Sequence, residues 1–131
     1  MWTEVDWAKV EGDLQSGDIL TEAVESEAAD RSQYLRRPDL GRRLSERSRA
    51  RLESLRDGFE MAIVVADGLS ATAVTLNAAP LVLRLAERCE ARGWRLAPVA
   101  LAQPARVALG DEVGAALGAR LVVLLVGERP G

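Results

Sequence analysis

Glu128 follows an entirely apolar run, Leu121 to Val126, and Arg129-Pro130-Gly131 comes after it at once. A chain built this way stops pairing just where the carboxylate appears, and an acid on such a turn can accept hydrogen bonds from a ligand. Asp67 is placed alike, after Met61 to Ala66 in Asp67-Gly68-Leu69-Ser70. It serves there either as a turn-former or as a ligand acceptor, since Asp-Gly after a strand is common for backbone reasons alone. Val107, taken by itself, offers packing only. Cys89 falls four residues after Leu85 and eight after Leu81, on the apolar stripe of a helical pattern, which predicts a buried, inert thiol.

The absences carry as much chemistry. With no histidine in 131 residues, a serine or cysteine triad with a histidine base, a histidine-ligated metal and a histidine axial ligand are all excluded. One cysteine forms neither an internal disulfide nor a thiolate cluster. Any catalysis in which this chain takes part therefore relies on a bound cofactor or a partner chain, and no residue here is assigned as a catalytic acid, base or nucleophile.

The candidate residues need elements to position them. Met61 to Ala66 is a short continuous apolar run bounded by turn residues, the pattern of a strand buried on both faces, and Arg95 to Leu101 and Leu121 to Val126 are the second and third strand candidates. Between them, Ser70 to about Arg92 reads as a helix capped by Ser70 and stopped by Gly93, and Gly110 to Leu117 reads as a shorter one. This alternation predicts an α/β, Rossmann-like three-layer fold with a short parallel sheet of about three strands in the C-terminal half, preceded by a helical N-terminal region. Parallel topology sets the loops Asp67 to Ser70, Gln103 to Val107 and Gly127 to Gly131 at one edge, where open α/β sheets bind ligands. Neither GxGxxG nor GxxxxGK followed by Ser or Thr occurs there, so the usual dinucleotide fingerprint and a P-loop are unsupported.

In the N-terminal half, Trp2, Val5, Trp7, Val10 and Leu14 fit a short amphipathic helix, with a loop around Ser16-Gly17-Asp18. A second helix is expected from Ala23 to Tyr34, ended near Pro38, and a third from Asp39 to Leu55 with Leu40, Leu44, Leu52 and Leu55 on one side and arginines around the other. The core must be built mainly of alanine, leucine and valine, with Trp2, Trp7 and Trp94 as its few large anchors and Trp94 capping a helix end. The expected division is 1–57, helical, and 58–131, a Rossmann-like cofactor-binding domain.

Charge is unevenly laid out. Residues 1 to 30 hold nine acids against Lys9 alone, a net of −8, whereas residues 31 to 56 hold nine arginines against Asp39, Glu46 and Glu53, a net of +6. Arginine suits planar, bidentate contacts with carboxylates or phosphates, so a partner surface is one reading. A solvated helix face, or pairing with the acidic start, is the other.

Residues 29–44, Ala-Asp-Arg-Ser-Gln-Tyr-Leu-Arg-Arg-Pro-Asp-Leu-Gly-Arg-Arg-Leu, resemble the small, or light, subunit of ethanolamine ammonia-lyase. Val64-Val65-Ala66-Asp67-Gly68-Leu69-Ser70, then Arg106-Val107, then Val126-Gly127-Glu128-Arg129-Pro130-Gly131 match that family in the same order. The similarity covers about residues 22 to 131, and residues 1–21 match it poorly. The resemblance implies a Rossmann-like domain that binds adenosylcobalamin (coenzyme B12) together with a large barrel subunit, in an enzyme that converts ethanolamine to acetaldehyde and ammonia. Carried over by position, it makes Val107 and Glu128 cofactor contacts. A third family contact, a cysteine, lies beyond the family's GERPG motif. Cys89 does not match it, so the cofactor domain is expected to be incomplete at its C-terminus, and a truncated small subunit is not expected to be active alone. In this resemblance the cofactor supplies the radical chemistry, the protein positions and shields, and substrate contacts belong to the large subunit.

Two other readings remain open at this level. One keeps the Rossmann-like half as a non-catalytic module for a nucleotide or cofactor. The other treats the arginine-rich stretch as an assembly or nucleic-acid surface, which the net charge of −3 and the single interleaved aromatic, Tyr34, oppose. No nucleic-acid partner is expected. No stretch approaches the roughly 20 apolar residues of a membrane span, and the acidic start is unlike a secretory signal. A cytoplasmic chain is expected, with a bacterial microcompartment as the setting the resemblance adds.

Overall fold

The computed structural model describes residues 5–25, 44–66, 71–102 and 109–126. In chain order these form helix α1 (Trp7–Ser16), strand β1 (Thr21–Val24), helix α2 (Glu46–Ser54), strand β2 (Met61–Ala66), helix α3 (Ala71–Ala91), strand β3 (Val99–Ala102), helix α4 (Leu109–Leu117) and strand β4 (Leu121–Val126). The strands make one parallel sheet in the order β1-β3-β2-β4.

An α/β chain with a parallel sheet is what the alternation of apolar runs predicts, but the sheet has four strands rather than about three. The fourth is β1, in a stretch expected to be loop and the start of a helix at Ala23. Its four residues pair only with β3, and Val24 is its one buried side chain. An edge strand this short leaves almost no alternation to read.

Two further boundaries move. The strand expected from Arg95 starts at Val99, because Pro98 has no N–H to give the ladder. Before it, Leu96 makes only an isolated bridge to Met61, and Ala97 N donates to Met61 O at 2.9 Å. The helix expected from Asp39 begins at Glu46. Ser45 is extended (φ −62°, ψ 154°) and its hydroxyl accepts the Ser48 amide at 3.2 Å, so it caps the helix and leaves Leu44 outside it. Leu44 and Leu52 are nonetheless buried, and the guanidinium-bearing side of α2, with Arg47, Arg49 and Arg51, faces out.

Strand periodicity sorts the core into two layers. Ala62, Val64 and Ala66 of β2 and Ala100 and Ala102 of β3 face α2 and α4, meeting Leu52, Leu109, Val113 and Leu117. Met61, Ile63, Val65, Val99 and Leu101 face α1 and α3, meeting Val10, Leu14, Val74 and Val82. The alanines on the first face let α2 and α4 approach closely, so the core is one of small and mid-sized aliphatics, as expected. Two of the expected tryptophan anchors fall short of full burial. Trp7 is half-buried, and Trp94 is 37% exposed with the Arg92 guanidinium 5.4 Å over its ring. Trp2 lies outside the described residues.

The helix ends follow from sequence. Asp6 caps α1 by accepting the Lys9 amide at 3.1 Å, while its own N–H donates to Thr75 Oγ1 at 3.0 Å and ties α1 to α3. Gly93, at φ +70°, stops α3 as expected, with Trp94 N donating to Cys89 O at 2.8 Å. Gly118, at φ +72°, does the same for α4.

Candidate functional site

The last residues of all four strands lie in one cross-strand row. Val24 pairs with Ala102, Ala102 with Ala66, and Ala66 with Val126. At the usual strand spacing this row is about 14 Å across. Every connection that leaves a strand's carboxyl end therefore leaves from the same line.

At its centre the row holds a change of direction. From β2 the chain goes into α3 on one face of the sheet, and from the adjacent β3 it goes into α4 on the other. The Ala66–Ala102 pair is thus a topological switch point, the position at which open parallel sheets offer a crevice outside the strand ends. Both side chains are methyl groups and both are buried.

The sequence-predicted residues relate to this row through the chain. Asp67 and Ser70 follow Ala66, Val107 lies between Ala102 and Leu109, and Glu128 comes two residues after Val126. All four lie outside the described residues, as do Arg36, Arg37, Arg42 and Arg43. Sequence reading missed that β1 ends in the same row, which makes the segment after Glu25 a fourth connection from this edge.

That fourth connection is closed at its base by a set of hydrogen bonds. Ser45 N donates to Glu25 O at 2.9 Å, and Glu25 N donates to Ser48 Oγ at 2.8 Å. Ser48 is the one buried polar side chain among the described residues, and this bond satisfies its oxygen. Leu44 N donates to Glu112 Oε2 at 2.6 Å, and Arg49 Nη2 donates to Glu112 Oε1 at 2.8 Å. Arg51 pairs with Glu22 at 2.7 Å, which raises the Arg51 pKa further by hydrogen bonding and charge. Arg51 is therefore paired with the acidic start, as one reading of that stretch has it, whereas Arg49 is held by Glu112 of α4.

The opposite edge holds a second cluster. Arg95 donates to both the carboxylate and the backbone carbonyl of Asp57, lies 5.3 Å over the Phe59 ring, and its amide donates to Glu60. The Arg95 hydrogen bond, then its charge, holds the Asp57 carboxyl below the usual carboxylate range. These groups pin the entry into β2 against the chain leading to β3.

Cys89 is buried, with its thiol 3.6 Å from Met61 Sδ, and burial pushes its pKa up. A protonated, enclosed thiol is neither nucleophile nor metal ligand. Among the described residues no group of three or more His, Cys, Asp or Glu side chains could hold a metal ion. None of their helices is long and apolar enough to cross a membrane.

The described residues thus form a parallel α/β domain whose four strands end in one row, with a topological switch point at its centre. The family model for the ethanolamine ammonia-lyase light chain matches residues 1–131. A protein named ethanolamine ammonia-lyase small subunit from Pseudomonas syringae pv. tomato is 47% identical over 133 residues, covering 96% of this chain and 45% of that protein. One of the same name from Ralstonia nicotianae is 49% identical over 130 residues, covering 96% and 48%. One from Pseudomonas putida strain W619 is 54% identical over 115 residues, covering 82% and 41%. The chain belongs to the ethanolamine ammonia-lyase light-chain family, and it spans a little under half the length of these curated relatives.

Proposed function

We propose that this chain is the cofactor-holding part of the small subunit of an ethanolamine ammonia-lyase, presenting adenosylcobalamin to a large catalytic subunit. Its fold is read as Rossmann-like, with the carboxyl row as the cofactor edge and Val107 and Glu128 as contacts. The observation that carries this reading is the single row Val24–Ala102–Ala66–Val126, from which the loops bearing both residues depart.

The donor set is compatible with cobalamin. A broad, amide-rimmed ligand that carries its own base would need no protein imidazole, and the chain has none. When bound, adenosylcobalamin supplies the radical that begins hydrogen abstraction from the substrate. The chain's own part is to bind, orient and exclude water. Val107 packs against the ligand, and Glu128 accepts a hydrogen bond from an amide or hydroxyl at its periphery. No residue of this chain is assigned to proton transfer, so ethanolamine deamination needs the large subunit.

A titration of the chain, with and without the large subunit, against adenosylcobalamin, ATP and NAD tests the reading. Cobalamin binding by the complex, with acetaldehyde released only when both subunits are present, is the expected result. Preference for ATP or NAD would replace it with a nucleotide-binding module, and turnover by the isolated chain would remove the need for a partner.

A further inference from the structure

Strand β4 forms one edge of the sheet, and among the described residues it pairs only with β2. Its residues, Leu121-Val122-Val123-Leu124-Leu125-Val126, include no charge, proline or glycine, so the strand carries none of the residues that ordinarily keep an edge from pairing. Leu121 is 45% exposed and the other side chains are half-buried, so both faces of the strand keep contact with solvent. An edge of this length and composition is a template for another strand.

The ladder fixes which backbone groups are on offer. Leu121 N donates to Glu60 O, toward β2. In a strand the N–H and C=O of one residue point the same way, and the direction alternates from residue to residue. Leu121, Val123 and Leu125 therefore turn their backbone groups to β2, and those of Val122, Leu124 and Val126 point outward. A second β4 laid antiparallel about a two-fold axis perpendicular to the sheet keeps the α4 layers of both copies on one side, so residues of the same face must oppose each other. With Leu124 on the axis, Val122 of each copy meets Val126 of the other, and every outward group of the strand is paired.

Charge fits the same axis. Helix α4 runs antiparallel to β4, with Gly110 beside Leu124 and Gly114 beside Val122. Its first turn carries Asp111 and Glu112. At its other end Arg56 Nη1 donates to Ala115 O at 3.3 Å, and the exposed Arg120 leads into β4. The axis reverses the second α4, so the acid end of each helix is turned toward the arginine end of its mate. Parallel pairing of two copies would instead set like ends together and put the α4 layers on opposite faces.

We propose that β4 is a self-association edge: two copies of this chain pair antiparallel through β4, with Leu124 at the two-fold axis, into one continuous sheet. The interface lies along the side of the sheet, whereas the cofactor reading concerns the carboxyl ends of the strands, so either stands without the other.

Sedimentation velocity of the chain over a concentration series tests this, with Leu124→Pro and Leu124→Cys beside the parent. Proline at 124 removes only an outward N–H, which an edge strand tolerates, and circular dichroism reports whether the variant folds. The parent is expected to be a dimer, with Leu124→Pro weakening association roughly 10- to 100-fold. Residues paired across the axis have Cα atoms about 5.5 Å apart, within disulfide reach. Leu124→Cys is therefore expected to form a covalent dimer on mild oxidation, whereas Leu76→Cys, exposed on α3, is not. A parent that stays monomeric throughout overturns the proposal, as does a folded Leu124→Pro that associates like the parent. If Leu124→Pro does not fold, Leu124→Cys decides alone, and either no covalent dimer or equal cross-linking of Leu76→Cys overturns it. A monomer whose Leu124→Cys thiol is shielded from maleimide only by the large subunit gives the edge to that subunit and overturns it equally.

Discussion

Gly114 of α4 lies so close to Val122 of β4 that a methyl group on its Cα would overlap Val122 Cγ2. The absence of a side chain at one helical position thus sets how tightly α4 seats on the edge strand of the sheet. Gly110, one turn earlier, faces the same strand without overlap, a Cβ there meeting Leu124 and Val122 in ordinary van der Waals contact at 3.7 Å.

Gly114→Ala is therefore expected to destabilise the chain by about 1 to 3 kcal/mol through overpacking. Gly110→Ala should be neutral, or stabilising by up to about 1 kcal/mol from helix propensity. Urea midpoints of the two variants against the parent check the contrast.

Asp57 and Arg95 predict a pH dependence. Arg95 depresses the Asp57 carboxyl, so the pair contributes stability above the ordinary carboxylate range, and that stability is lost as pH falls through the depressed value. Asp57→Asn should be less stable than the parent at neutral pH and should converge with it in acid. Both side chains are more than half exposed, so added salt should narrow the gap. Urea unfolding from neutral pH down through the carboxylate range, at low and high salt, reads both effects.

Cys89 should resist alkylation in the folded chain. Its burial and raised pKa both keep thiolate away from solvent. Iodoacetamide labelling followed by mass should be slow without denaturant and fast in urea, and equal rates would contradict the packing of α3 against the sheet.

Much of the core was legible in the sequence because central β2 and edge β4 are each an unbroken apolar run. Met61 to Ala66 and Leu121 to Val126 appear as strands over the same residues, and Gly93 and Cys89 behave as their surroundings suggest. What escaped was short or polar. Thr21–Val24 has one buried side chain and draws its strand character from pairing with β3, a contact between residues 78 positions apart that no local pattern encodes. The same miss hid the fourth connection at the carboxyl row. Ser45 was readable as a helix cap, but the leucines before it continued the helical spacing and masked it. Glu112 carried no signal at all, since an acid in the first turn of a helix is ordinary, and only the fold brings it to Leu44.

The central claim is that the carboxyl row, and not the rest of the surface, holds the cofactor. The most direct test is adenosylcobalamin affinity in the complex with the large subunit, measured for the parent, Glu128→Ala at the carboxyl edge and Asp57→Asn at the opposite edge. Glu128→Ala is expected to lose about 1.5 to 3 kcal/mol, roughly 10- to 150-fold in Kd, while Asp57→Asn matches the parent. Unchanged affinity in Glu128→Ala, or equal weakening in both variants, would contradict the assignment of that edge.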